Sequence, residues 1–175
     1  MFYRVRNFFI IFILIIFAFI VQYTIIARIP FLGVAPNLLL ILTFMYGYSR
    51  GKNAGMLVGF FAGLVADVFF CEVLGFHALI YLLIGYVNGR WNKYFYSNVI
   101  YIPLVLLLCS DAFYSIAYFI CFYVLRGRLA IGYCLTHIIV PELLLTFVAG
   151  LLLFKPLKFL NSKMYMYYEN EESEE

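Results

Sequence analysis

The chain has 175 residues, of which 66% are hydrophobic and only 12% charged, with a mean hydropathy of +1.00; soluble domains carry about 45–50% apolar residues, so a water-soluble globule is excluded and a lipid-embedded one implied. Twelve basic residues stand against nine acids, but Glu169, Glu171, Glu172, Glu174 and Glu175 crowd the C-terminus and leave the body at +8. The basic residues are scattered between apolar runs, which suits anionic lipid and not a nucleic-acid patch.

Apolar runs at about 8–27, 31–48, 54–70, 74–88, 99–125 and 131–154 each reach or approach the ~20 residues that cross a hydrocarbon core. The first follows Arg4 and Arg6 and is too long for a signal-peptide core, so it reads as a retained helix. With both termini in the cytoplasm, six spans place Arg4, Arg6, Arg50, Lys52, Arg90, Lys93, Lys155, Lys158 and Lys163 inside. Only Arg28, Arg126 and Arg128 then fall outside, a clear positive-inside bias. The third and fourth runs are short enough for a re-entrant hairpin, but that would disturb the charge asymmetry. The expected fold is an all-α integral membrane protein, a six-helix transmembrane bundle. Loops are short, so neighbouring helices are antiparallel. Residues 155–175 follow as a cytoplasmic tail, a short interfacial helix and then an acidic, unstructured end.

The third run carries the densest signal. Gly51, Gly55, Gly59, Gly63 and Asp67 recur every four residues, which aligns them along one face of a helix. A stripe without side chains lets another helix backbone come close, as in small-xxx-small membrane packing, and it ends in an acid expected near the outer surface. Asp67, Glu72, His77, His137 and the three outer arginines gather there. Asp67 is expected to pair with one of those arginines, and the histidines to be hydrogen-bonded packing residues. Asp111 and Glu142 fall near mid-membrane without a cation at their depth. Each is neutral, hydrogen-bonded to Ser110, Tyr114, Tyr118 or Thr146, open to a watery cavity, or paired with another protein. Pro141 beside Glu142 predicts a break in the sixth helix.

Enzyme chemistry finds no support. Gly51-Lys52 lacks the Walker spacing, no Gly-x-Ser-x-Gly occurs, and the two histidines do not form a His-Glu-x-x-His pair. Asp67 and Asp111 lie at different depths, against an aspartyl dyad. Cys71, Cys109, Cys121 and Cys134 lack metal spacing; Cys109 and Cys121 sit in one apolar run as small hydrophobes, and a Cys71–Cys134 bridge near the outer face is open but disfavoured. No cofactor and no metal are expected.

Pro36-Asn37-Leu38-Leu39-Leu40 and the turn Ser49-Arg50-Gly51-Lys52 resemble the family of the rod shape-determining protein MreD. So does Gly55-x3-Gly59-Phe60-x2-Gly63-Leu64-x2-Asp67, followed by Leu74-Gly75 and Tyr81-x3-Gly85. The likeness is strongest over about residues 34–90; the Phe70-Cys71-Glu72-Val73 loop departs from it. The resemblance implies a bacterial inner-membrane protein of the lateral wall-synthesis (peptidoglycan) machinery, acting with MreC and, indirectly, MreB, RodA and its transpeptidase partner. It implies a fold similar to the substrate-binding component of energy-coupling-factor vitamin transporters. Gly55, Gly59 and Gly63 would form the tight helix contact, with Asp67 and Gly75 shaping an outer pocket. Three functions then compete. The first is a non-catalytic scaffold that docks partner membrane helices or a second copy of itself. The second is a vitamin-binding transporter subunit, disfavoured by outer loops too short to form a lid. The third is a binder of lipid-linked precursors through Arg28, Arg126 and Arg128.

Overall fold

The run Leu38–Ser49 is apolar on every side, and a helix of that kind belongs inside a bundle. A computed structural model, which describes residues 2–26, 35–70, 74–92, 101–124 and 135–172, places it there. All the described residues in regular structure are helical. Helix α1 is Phe2–Ile20 and widens into π-helical turns over Val21–Ile26; α2 is Leu38–Arg50, α3 Lys52–Phe70 and α4 Phe76–Gly89. Helix α5 is Tyr101–Phe119, continued as π-turns by Ile120–Val124. A π-helical stretch, Leu135–Ile139, leads into α6, Val140–Glu172. Every residue of α2 from Leu38 to Ser49 is buried.

Among the described residues three helices, Lys52–Phe69, Ile102–Phe122 and Val140–Leu157, have the length and composition to cross a membrane, and Phe9–Thr24 and Phe76–Gly89 are shorter apolar helices. Large apolar side chains such as Leu57, Phe69, Leu79, Val105 and Leu152 face outward on these helices. That is the surface a lipid environment covers and water does not. In α3 the buried positions 55, 58, 59, 62, 63, 66 and 67 alternate with the exposed 57, 60, 64 and 68, a stripe of helical period. Helix α5 has its polarity turned inward: Ser110, Asp111, Tyr114 and Ser115 are buried, while Val105, Leu108, Phe113 and Ile116 are exposed.

The closest packing joins α2, α3 and α4 through glycine. A Cβ on Gly47 of α2 would lie 2.7 Å from the Gly85 carbonyl oxygen of α4, and one on Gly55 of α3 would lie 2.6 Å from Gly47 Cα. Three backbones therefore meet at Gly47, Gly55 and Gly85. Further along, Gly59 faces the Tyr81 backbone and Gly63 the His77–Ala78 backbone. The partners fall in steps of four, 55 with 85, 59 with 81 and 63 with 77, as antiparallel helices in fixed register require.

Gly51, placed in this stripe from sequence, and Gly75, placed at an outer pocket, serve the backbone instead. Gly51 and Gly75 have φ of +89° and +97°, and among the described residues nothing lies within 4 Å of an added Cβ. A left-handed backbone is what glycine alone adopts readily, and Gly51 uses it to end α2, its N–H donating to the Gly47 carbonyl at 2.9 Å, so that α3 begins one residue later. Gly75 does the same at the start of α4. Both are turn residues, not packing residues.

The C-terminal region also differs from expectation. Instead of a separate interfacial helix and an unstructured acidic end, α6 runs unbroken through Pro156 to Glu172. After Pro156 the chain holds no glycine or proline, and Leu, Lys, Met and Glu all favour helix. The break expected at Pro141 takes the form of the π-to-α switch at Ile139–Val140. Proline lacks the N–H that would continue the ladder, so a wider turn forms just before it.

Candidate functional site

The glycine register explains why an acid follows Gly63 four residues later. One more step along α3 carries Asp67 past the first residue of α4, where the helix presents unpaired N–H groups and the positive end of its dipole. Gly75 opens α4 without any side-chain cap of its own. Asp67, only 1% exposed, supplies the cap from the neighbouring helix. Its Oδ2 accepts from Gly75 N and Ala78 N, both at 3.0 Å, and its Oδ1 from His77 N at 3.0 Å. The His77 Nδ1–H donates to the same Oδ1 at 2.8 Å. Four donors on two oxygens make an acceptor-only group fully used. The ring is then oriented so that its Nε2 accepts the Tyr114 hydroxyl of α5 at 3.1 Å.

A second buried network begins at the N-terminus of α2. Asn37 caps that helix through Oδ1, which accepts from Leu40 N at 3.1 Å and from the Tyr81 hydroxyl of α4 at 2.8 Å. Its own N–H donates to Thr146 Oγ1 on α6 at 3.1 Å. Gln22 Oε1, from the π-turns after α1, accepts from Leu39 N at 3.1 Å. The orphan N–H groups of a helix that starts inside the protein are thereby paired by side chains from α1 and α6 as well as its own cap. The two networks meet where the Tyr81 and Tyr114 rings pack at 5.5 Å. Around them His77, Phe76, Tyr118 and Phe122 fill the space between the Phe76 end of α4 and the Phe122 end of α5, Tyr118 stacking on Phe122 at 4.6 Å.

Toward the other end of the same two helices the described residues leave a space between them. Leu83, Val87, Leu106, Cys109 and Phe113 line an apolar groove of about 340 Å³. Asn88 and Ser110 join its two walls, Asn88 Nδ2 donating to Ser110 Oγ at 2.8 Å. Asn92 Nδ2 reaches the Tyr48 carbonyl at 2.9 Å and ties the end of α4 to α2.

Of the residues singled out from sequence, Gly55, Gly59, Gly63, Asp67 and His77 converge on the α3–α4 seam. Asp67 takes the α4 N-terminus and His77 as partners; Arg28, Arg126, Arg128 and Glu72 lie outside the described residues, as do Cys71 and Cys134. His137 belongs to the π-helical Leu135–Ile139 stretch, and its side chain is not among those described. Asp111 and Glu142 are neighbours across α5 and α6, with Thr146 beside them. Asn37, Gln22, Tyr81 and Gly85 bear most of the interior wiring but were given no role from sequence. Pro36-Asn37 directly before an apolar run was the available signal, since asparagine there is a helix-start residue.

The model of the family described as rod shape-determining protein MreD matches residues 3–164. The chain belongs to the MreD family. The match covers most of the chain and bears out the resemblance carried by Pro36-Asn37, the glycine series and Asp67. No curated protein and no solved structure matches the chain. Membership places the protein in rod shape determination, and its apolar helices mark it as a membrane protein.

Proposed function

We propose that the chain is a non-catalytic membrane scaffold of the bacterial cell-elongation complex, holding partner membrane proteins in place during lateral wall synthesis. It sits in the inner membrane with both termini in the cytoplasm. MreC is the direct partner, with MreB, RodA and the transpeptidase linked through the assembly. The observation that carries this reading is the contrast between two halves of the bundle. Helices α2, α3 and α4 are locked backbone to backbone, whereas α4 and α5 part to leave an apolar groove with one buried amide, Asn88, and one buried hydroxyl, Ser110, at its floor. A rigid platform beside an open cleft between lipid-facing helices suits docking of a membrane helix, whose association in lipid depends on close packing and interhelical hydrogen bonds. The family match gives no support to the vitamin-binding alternative.

A photo-crosslinking residue at Leu83 or Phe113 tests it, combined with affinity purification in mild detergent. The proposal expects crosslinks to a wall-synthesis partner and co-purification of that partner. Crosslinks to lipid alone, or a purified complex with transporter ATPases, would overturn it.

A further inference from the structure

The end of the bundle where α2 finishes carries charge of one sign. Arg50 closes the last turn of α2, and the left-handed Gly51 sets Lys52 at the first position of α3. A Cβ added to Gly89 would meet the Lys52 backbone, which brings Arg90 and Trp91, just past the end of α4, to the same place. Asn92 Nδ2 holds that end to the Tyr48 carbonyl at 2.9 Å. Lys52, Arg90 and Trp91 are exposed. Among the described side chains the acids are Asp67, Asp111 and Glu142, and all three belong to the other half of the bundle. Asp67 caps the start of α4, while Asp111 and Glu142 sit by Thr146, which bonds the residue before α2.

Arg50 itself is partly buried, and its guanidinium is incompletely used. Its flat face lies over the Tyr46 ring, 5.6 Å from the centroid, a cation–π contact. Nε and Nη2, in contrast, are shut off from solvent and have no hydrogen-bond partner. Those two nitrogens form one edge of the guanidinium, whose parallel N–H groups match two oxygens of a phosphate or carboxylate. A buried carboxyl can hold its proton and become neutral; a guanidinium keeps its charge. Two charged donors without acceptors, away from water, are costly. Beneath a surface that carries Lys52 and Arg90, such an edge points to an anion.

We infer that the α2–α3 turn is a binding site for the phosphate of an anionic phospholipid. Arg50 is its specific ligand, taking two phosphate oxygens along the Nε–Nη2 edge, and Lys52 and Arg90 supply attraction at the surface. A lipid is favoured over an acidic peptide because the cations meet an exposed tryptophan at the ends of three apolar helices. Tryptophan together with lysine and arginine is the composition found at headgroup level. Leu57, 61% exposed and little more than one turn along α3 from Lys52, offers acyl chains an apolar surface below that level. The site needs only a membrane and does not depend on what occupies the α4–α5 groove.

The test is native mass spectrometry of the full chain released from detergent micelles doped with rising amounts of dioleoylphosphatidylglycerol or dioleoylphosphatidylcholine. The wild-type chain is expected to retain phosphatidylglycerol saturably, with a midpoint about tenfold below that of phosphatidylcholine. Arg50→Lys keeps the charge but loses the paired donors, and should raise the phosphatidylglycerol midpoint about tenfold, whereas unspecific charge attraction predicts no change. Should that variant fail to fold, the exposed Lys52→Gln and Arg90→Gln carry the test, each raising the midpoint about fivefold. Equal retention of the two lipids, or wild-type midpoints in every variant that folds, would overturn the assignment. So would release of the lipid by inorganic phosphate at constant ionic strength, which marks a soluble occupant, or an acidic protein chain that must be stripped before lipid binds.

Discussion

Replacing Gly59 by alanine adds one methyl group at the centre of the α3–α4 seam. That Cβ would stand 2.6 Å from the Tyr81 carbonyl carbon and 2.9 Å from Thr43 Cγ2. Ordinary van der Waals contact is 3.4–4 Å, so α3 must move from α4 by close to an ångström, because the obstacle is backbone and cannot rotate away. The same displacement pulls on Tyr81, whose hydroxyl bonds Asn37 at 2.8 Å, and so strains the α2 cap as well. Overpacking of this kind costs about 1–3 kcal/mol, and Gly59→Leu costs more and is expected to prevent assembly. The assay is reversible unfolding in bicelles, with Leu57→Ala as the control, since Leu57 is 61% exposed on the same helix. Loss of rod shape in cells should accompany the stability loss. If Gly59→Ala were as stable as Leu57→Ala, the backbone contact would not exist as described.

Asp67→Ala removes the cap and leaves the α4 N–H groups unpaired in a dry site. It should destabilise by about 2–5 kcal/mol, measured by the same unfolding assay, and Asp67→Asn should lose less because one acceptor oxygen remains. Tyr81→Phe deletes only the bond to Asn37 and should cost about 0.6–1.7 kcal/mol, the range for interhelical hydrogen bonds in membranes. Asn37→Ala should cost more than Tyr81→Phe, because it also removes the N-cap of α2; equal losses would show that the cap contributes nothing.

How much of this could be read beforehand depended on how local each interaction is. A recurrence of four residues is visible in one helix, so the bare stripe of Gly55, Gly59 and Gly63 could be found. What the stripe touches is set by a second helix, and the step from Gly59 to Tyr81 has no mark in sequence. Gly51 and Gly75 looked like members of the same series because glycine serves close packing and left-handed turns equally well, and spacing does not separate the two. Asp67 was recognised as needing a partner, but charge counting favoured arginine over the N-terminus of α4, since backbone donors carry no letter in the sequence. That Asp111 and Glu142 are neighbours across α5 and α6 was not legible, because it is fixed by contacts between those helices such as Leu107 with Gly150. The unbroken helix to Glu172 went against a compositional rule. Its acidic end has nothing to bury, yet it follows directly on a long helix already formed, which removes the cost of nucleation.

The central claim is that a carboxylate on α3 serves as the N-terminal cap of α4. It is tested most directly by NMR of isotopically labelled protein, through scalar couplings across hydrogen bonds. Couplings from the amide nitrogens of Gly75, His77 and Ala78 to the Asp67 side-chain carboxyl carbon are predicted, together with slow exchange of the last two amide protons. Absence of those couplings, with His77 and Ala78 exchanging as fast as residues at a frayed helix end, would contradict it.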